Sequence, residues 1–134
     1  MQFTVSSNQH KECIDITTQV QDCVSQSDVK DGICHVFVCH ATAALIINEN
    51  DDPNICTDFV KALDKAIPEH AGYLHDRVDN NAQAHILAAI LGPSETIPVR
   101  DGHLVMGTWQ SLMLVELDGA RKNRKVEVTL VSSK

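Results

Sequence analysis

Aromatic side chains are scarce in this 134-residue chain, which has three Phe, one Trp and one Tyr. Its core must therefore be built mainly from aliphatic residues. No apolar run approaches the ~20 residues that a membrane-spanning helix needs. The opening MQFTVSSNQHKECIDIT has no basic segment followed by an apolar stretch. No signal peptide is expected, and a cytoplasmic location is. There is no CxxC, and the five cysteines Cys13, Cys23, Cys34, Cys39 and Cys56 are odd in number. Several lie in apolar surroundings such as ICHVFVC, so reduced thiols are expected rather than a disulfide framework. Lys and Arg number 11 against 18 Asp and Glu, a net charge of -7. That excludes general affinity for nucleic acid or an anionic membrane, both of which need a positive surface. A small phosphate needs only a few local donors and stays open. Phosphate loops of the GxxxxGK[ST] type, GxGxxG after a strand and the GxSxG elbow are all missing. With no repeat, low-complexity tract or long linker, a single domain over residues 1–134 is expected.

What is present falls into strands, then helices, then strands. QFTVSS and ECIDITT alternate with period two, and TQVQDCVSQSDV shifts to helical spacing through Val20, Cys23 or Val24, and Val29. ICHVFVCHA is a β-branched strand, and ALIIN continues or returns as another. Pro53 after Asp52 starts a helix whose face carries Ile55, Phe59, Ala62 or Leu63, and Ala66. Residues 69–81 form a polar loop, and Asn80 or Asn81 is expected to cap a helix over 82–91 that ends at Gly92-Pro93. TIPVR, HLVMGT, WQSLMLVEL and KVEVTLVSS complete the chain as strands. This order predicts an α+β domain.

Three clusters carry chemistry. In YLHDRVDNNAQAHILAAILG, helical spacing sets His85 with Ala82, Ala88 and Ala89 on the buried side. Either His85 is a hydrogen-bonded core residue, or it walls a site together with His75 and Asp76 or Asp79, a plausible ligand set for Zn²⁺ or another divalent ion. In CHATAALIINENDDPN, His40 closes an apolar strand, followed by Thr42 and a polar run from Asn48 and Glu49 to Asp52. A solvated turn and a site on a rigid scaffold both fit that pattern. Cys39 and His40 are adjacent on a strand and face opposite sides, which argues against a Cys–His nucleophilic pair. In GTWQSLMLVELDGARKNR, Glu116 and Asp118 share one strand face and Arg121 is the expected partner after the turn. That trio reads as a structural ion pair at a hairpin or as a metal or phosphate contact.

Taken in order, HATAALIINEND, YLHD with NNAQAHILAAILG, and GHLVMGTWQSLMLVELDGAR resemble the blocks of the YjbQ-like family, also named secondary thiamine-phosphate synthase. The resemblance covers essentially the whole chain. It implies an α+β fold with a mixed β-sandwich and a few short helices, assembled as a homotrimer. It also implies joining of a pyrimidine methyl diphosphate to a thiazole phosphate with release of pyrophosphate, as a secondary activity. The family's motif positions fall on His40, His75, Asp79 and His85; His85 and Asp79 are candidate catalytic residues, with Glu49 and Glu116 as further candidates that could orient the imidazoles. Asn48, Thr108, Gln110 and Arg121 are candidates for substrate or phosphate, and His40, His75 and His85 for a metal. The metal would be Mg²⁺ with the diphosphate or Zn²⁺ on the histidines. A phosphorylated small molecule is the expected partner, with neither nucleic acid nor membrane. A binding module for such a molecule or a metal, without catalysis, is the alternative. Ala41 in HATA and Ala120 in DGAR depart from the usual Thr or Ser and Pro; Ala120 bears on how firmly Arg121 is aimed.

Overall fold

The computed structural model describes residues 1–134. The strands are β1 (Gln2–Val5), β2 (Glu12–Asp15), β3 (Gly32–Val38), β4 (Ala43–Glu49), β5 (Ser94–Arg100), β6 (His103–Leu104), β7 (Gln110–Glu116) and β8 (Arg124–Ser132). The helices are α1 (Thr17–Gln26), α2 (Pro53–Ala66), the single turn α3 (Asp76–Asp79) and α4 (Ala82–Leu91). No helix is long and apolar enough to cross a membrane.

Two sheets stack face to face. One has the order β1-β8-β3-β5-β6 and the other β2-β7-β4. Every pairing is antiparallel, which narrows the expected mixed sandwich. Only β5 and β6 pair through a tight return; the other pairings join strands distant in the chain.

Between the sheets lies the larger core. Val36, Val38, Val126 and Val128 come from the five-stranded sheet, and Leu45, Leu112 and Leu114 from the three-stranded one. Val20 and Val24 of α1 join this core at its edge. The three-stranded sheet buries its other face as well. Ala44, Val115 and Leu117 pack there against Ala84, Leu87 and Ala88 of α4, with Phe59 and Leu63 of α2 alongside. A strand covered on both faces needs a continuous apolar run, and LMLVEL supplies one; Leu112 through Leu117 are all buried.

Local signals explain the helix ends. Asp52 caps α2, its side chain accepting from the Asn54 N–H at 2.9 Å, with Pro53 following at the first helical position. The start of α4 departs from expectation, because neither Asn80 nor Asn81 caps it. Asp76 does so from α3, Oδ1 accepting from the Ala82 N–H at 2.9 Å. Asn80 instead takes the left-handed conformation that ends α3, at φ 55°. Asn81 turns its amide away to Asp118. The buried face of α4 runs through Ala84, Leu87 and Ala88 rather than through His85, which sits half-buried on its flank.

Candidate functional site

At the Glu116 end of β7 the two sheets are joined by a buried ion pair. Glu116 is fully buried and Arg124 only 3 % exposed. The Glu116 Oε1 accepts from Arg124 Nε at 3.0 Å and from the Ser7 hydroxyl at 2.8 Å. Its Oε2 accepts from Arg124 Nη2 at 2.5 Å and from the Asp118 N–H at 3.0 Å. Arg124 Nη2 also donates to the carbonyl and hydroxyl oxygens of Thr42, at 3.2 and 2.9 Å. Burial opposes ionisation of Glu116, but the bonds from Arg124, Asp118 and Ser7 outweigh it and hold the carboxyl below its usual range. The expectation that Glu116 is catalytic is therefore corrected: both oxygens are saturated and no face meets solvent. Arg121 is not its partner either. Arg121 donates through Nε and Nη2 to the backbone and side-chain oxygens of Asp118, at 3.0 and 2.9 Å. The sequence does carry a signal for Arg124, which shares the inward phase of β8 with Val126 and Val128.

Beside this closed pair lies an open face bearing three histidines. His40 and His85 line one groove of about 270 Å³, floored by Ala41, Ala43, Ala88 and Ala89. His75 meets His85 edge to face, with ring centroids 4.9 Å apart at 84°. His85 is thus half-buried and lines a groove rather than being enclosed by core atoms. The Lys125 N–H donates to His40 Nε2 at 2.8 Å. That bond fixes the tautomer, so Nδ1 carries the proton and His40 can offer an N–H. Burial, then the nearby Arg124 charge, keeps the ring deprotonated below its ordinary range, with Lys125 and Arg121 adding to the effect.

The same geometry lends the expected zinc set no support within one chain. A metal needs a free nitrogen lone pair, and the Nε2 lone pair of His40 is engaged by the backbone. No group of three or more His, Cys, Asp or Glu side chains in the chain is arranged to hold a metal ion. The histidines cluster without forming one ligand shell.

A second, smaller cavity of about 100 Å³ opens on the other side of the start of α4, lined among others by His10, Glu69, His70, Asp76, Asn81 and Asp118. His10 Nε2 lies 3.0 Å from Glu69 Oε1, and Lys11 holds the same oxygen at 2.6 Å. Asp118 Oδ2 accepts from Asn81 Nδ2 at 2.9 Å, tying the turn that carries Arg121 to the residue one turn before His85. Asn81 Oδ1 is buried and without a partner. Such an acceptor calls for a donor, from water or ligand. His10 and His70 went unnoticed in the sequence because exposed loop residues far apart in the chain show no periodicity. Gly119 helps place His10: a Cβ there would collide with the Gln9 carbonyl oxygen, and the Gly119 N–H bonds the His10 carbonyl at 2.8 Å.

The remaining candidates lie at the far end of the β4–β7 ladder. The register runs from Ala43 opposite Glu116 to Glu49 opposite Gln110. At ~3.3 Å per residue this puts Asn48, Glu49 and Gln110 about 20 Å from the histidine face. Gln110 closes the turn before it, its Oε1 accepting from the Gly107 N–H at 2.7 Å, with Thr108 exposed inside that turn. Glu49 accepts from the Asp52 N–H at 3.3 Å. Asp79 is exposed at the end of α3. One chain therefore brings His40, His75 and His85 together and leaves Asn48, Glu49, Thr108 and Gln110 apart from them, while Asp79 lines neither cavity.

Residues 1–133 match the model of the family described as UPF0047 protein YjbQ-like. A UPF0047 protein of Archaeoglobus fulgidus is 40% identical over 126 residues, covering 94% of this chain and 97% of its own. Among solved structures, a YbjQ-like protein from Sulfolobus solfataricus P2 superposes with a TM-score of 0.95 at 38% identity, over 99% of this chain and 96% of that one. A YjbQ/UPF0047 protein from Clostridium acetobutylicum gives 0.93 at 39% identity, over 98% and 99%.

Proposed function

The chain belongs to the YjbQ-like UPF0047 family, and from that premise we propose that it is a secondary thiamine-phosphate synthase. In this reading it joins 4-amino-2-methyl-5-hydroxymethylpyrimidine diphosphate to 4-methyl-5-(2-phosphoethyl)thiazole. The observation that carries the proposal is the meeting of His40 and His85 in one groove with His75 against His85. Clustered ionisable side chains in a cleft are a site signal.

The bond between the pyrimidine methylene carbon and its diphosphate oxygen breaks, and the electron pair leaves with pyrophosphate. The thiazole nitrogen then forms the new C–N bond to that carbon. Such a reaction asks for donors aimed at the leaving oxygens more than for a nucleophile. The Nδ1–H of His40 is one such donor. The half-exposed Arg121 guanidinium is another, and its planar fork matches phosphate oxygens. His85 would face the pyrimidine from the same groove, with His75 bracing its ring, and Asp79 is proposed as a carboxylate for the same reaction. The residues of one chain do not fit a resident zinc, so no step is assigned to one; Mg²⁺ belongs with the diphosphate as it arrives. A cytoplasmic homotrimer is part of the proposal, a second copy bringing Asn48, Glu49, Thr108 and Gln110 to the histidine face.

One observation favours a second reading. Glu116 is saturated and Glu49 is remote, which leaves little acid–base chemistry beside His85. The same face would then bind a phosphorylated small molecule without turning it over. A product assay separates the two. Purified protein with both substrates and Mg²⁺ is expected to form thiamine phosphate, and His85→Ala is expected to form none. Absence of product from folded wild-type protein, with the pyrimidine diphosphate still bound by calorimetry, overturns catalysis in favour of binding. Undiminished product from His85→Ala overturns the site.

A further inference from the structure

We propose that Cys13, Cys56 and Met113 form a binding site for a soft monovalent metal ion of the Cu(I) class. None of His40, His75 and His85 lines this place, and the proposal stands independently of the function above. The three sulfurs come from three elements that meet on the helix-covered face of the three-stranded sheet. Cys13 lies in β2 opposite Val115, Met113 lies in β7, and Cys56 is in the first turn of α2. Cys56 Sγ is 3.8 Å from Met113 Sδ, and Cys13 lines one crevice with both of them and a neighbouring groove with Cys56. Three sulfur ligands around one trigonal ion, with metal–sulfur bonds of about 2.3 Å, stand about 4 Å apart. The Cys56–Met113 separation already has that value, so binding asks for little rearrangement at that pair.

The donor set chooses the ion. Two thiolates and a thioether are soft ligands and suit Cu(I). Structural Zn²⁺ takes four ligands in a tetrahedron; no histidine lines this place, and its carboxylates Glu12 and Glu49 accept from the backbone N–H groups of Asn8, Gln9 and Asp52. Each thiol gives its proton to water as the metal–sulfur bond forms, and no electron transfer is involved. Burial, then the neighbouring Cys56, pushes the Cys13 thiol up to about 12, so a thiophilic ion must displace its proton to bind. Access is present, because a groove of about 360 Å³ reaches Cys13 and Cys56 between Lys11 and Lys61. Cys23 and Cys34 are also neighbours, but Cys34 is fully buried in the core between the sheets.

The test titrates reduced, oxygen-free protein with Cu(I) against a chromophoric Cu(I) chelator. Wild-type protein is expected to withdraw one equivalent. Cys56→Ser and Cys13→Ser are each expected to weaken retention more than roughly tenfold, and volume-conserving Met113→Leu several-fold. Cys23→Ser is the control and should match wild type. Thermal melts of the apo variants separate lost ligation from lost folding. Equal retention by wild type and Cys56→Ser overturns the proposal. So does loss on Cys23→Ser equal to that on Cys56→Ser.

Discussion

Two polar clusters flank the end of β7, and they differ in how their hydrogen bonds are spent. Glu116 and Arg124 are buried, and both carboxylate oxygens are filled by protein donors. On the α4 side, His85 opens to a groove and His40 keeps an unspent N–H, and in the small cavity across the start of α4 Asn81 Oδ1 has no partner. Charge alone does not distinguish the clusters. A saturated pair has no valence left for a ligand and serves to lock two sheets in register; an unsaturated rim is where a ligand finds partners.

The comparison breaks first at the ion pair. Glu116→Ala or Arg124→Met leaves one buried charge alone, and a loss of about 3–5 kcal/mol is expected in urea unfolding. The double variant Glu116→Leu/Arg124→Met should recover most of that loss, because a well-packed apolar pair is often neutral. If Glu116→Ala unfolds like wild type, the pair is not the lock described here. Gln83→Leu comes next. Its amide donates to Asp64 Oδ1 and the Ile67 carbonyl, both at 2.8 Å, and joins α4 to the end of α2. Stranding those acceptors should cost about 1–3 kcal/mol by the same measurement.

Acid sharpens the comparison further. His40 titrates below its ordinary 6.5, chiefly through burial and then the Arg124 charge. The unfolded chain thus takes up that proton first, and stability present above pH 6.5 is lost as pH falls from there toward the folded value. Glu116, Glu69 and Asp15 are likewise depressed, Glu116 and Glu69 from 4.5 and Asp15 from 3.8, so their contributions fade lower still. Stability against pH should fall in two stages. His40→Gln should flatten the upper stage only, and a single stage in wild-type protein counts against this assignment. The smallest effect on folding is expected for His85→Ala, under about 1 kcal/mol, because the ring sits on the flank of α4. A larger loss would return His85 to the core.

Much of this was legible in the sequence. Apolar period and length gave β7 and α4, and Asp52-Pro53 marked the start of α2 where it occurs. Three histidines flagged from separate blocks do meet on one face. The polar assignments were less legible because partner choice is a tertiary event. Glu116 faces the opposite sheet, so its partner is Arg124 of β8 and not the nearer Arg121 beyond the turn. Asp76 rather than either Asn caps α4, since the one-turn helix α3 folds that carboxylate back. The spacing of Asn48 and Gln110 from His85 follows from strand length, which motif order does not encode.

The measurement that bears most directly on the account is histidine side-chain NMR during titration with Mg²⁺-pyrophosphate, following all seven rings. The account predicts that His40, His75 and His85 shift together, while His10 and His70 stay in place. Shifts confined to His10 and His70 would move the site to the small polar cavity, and no shift at His85 would contradict the assignment of that face.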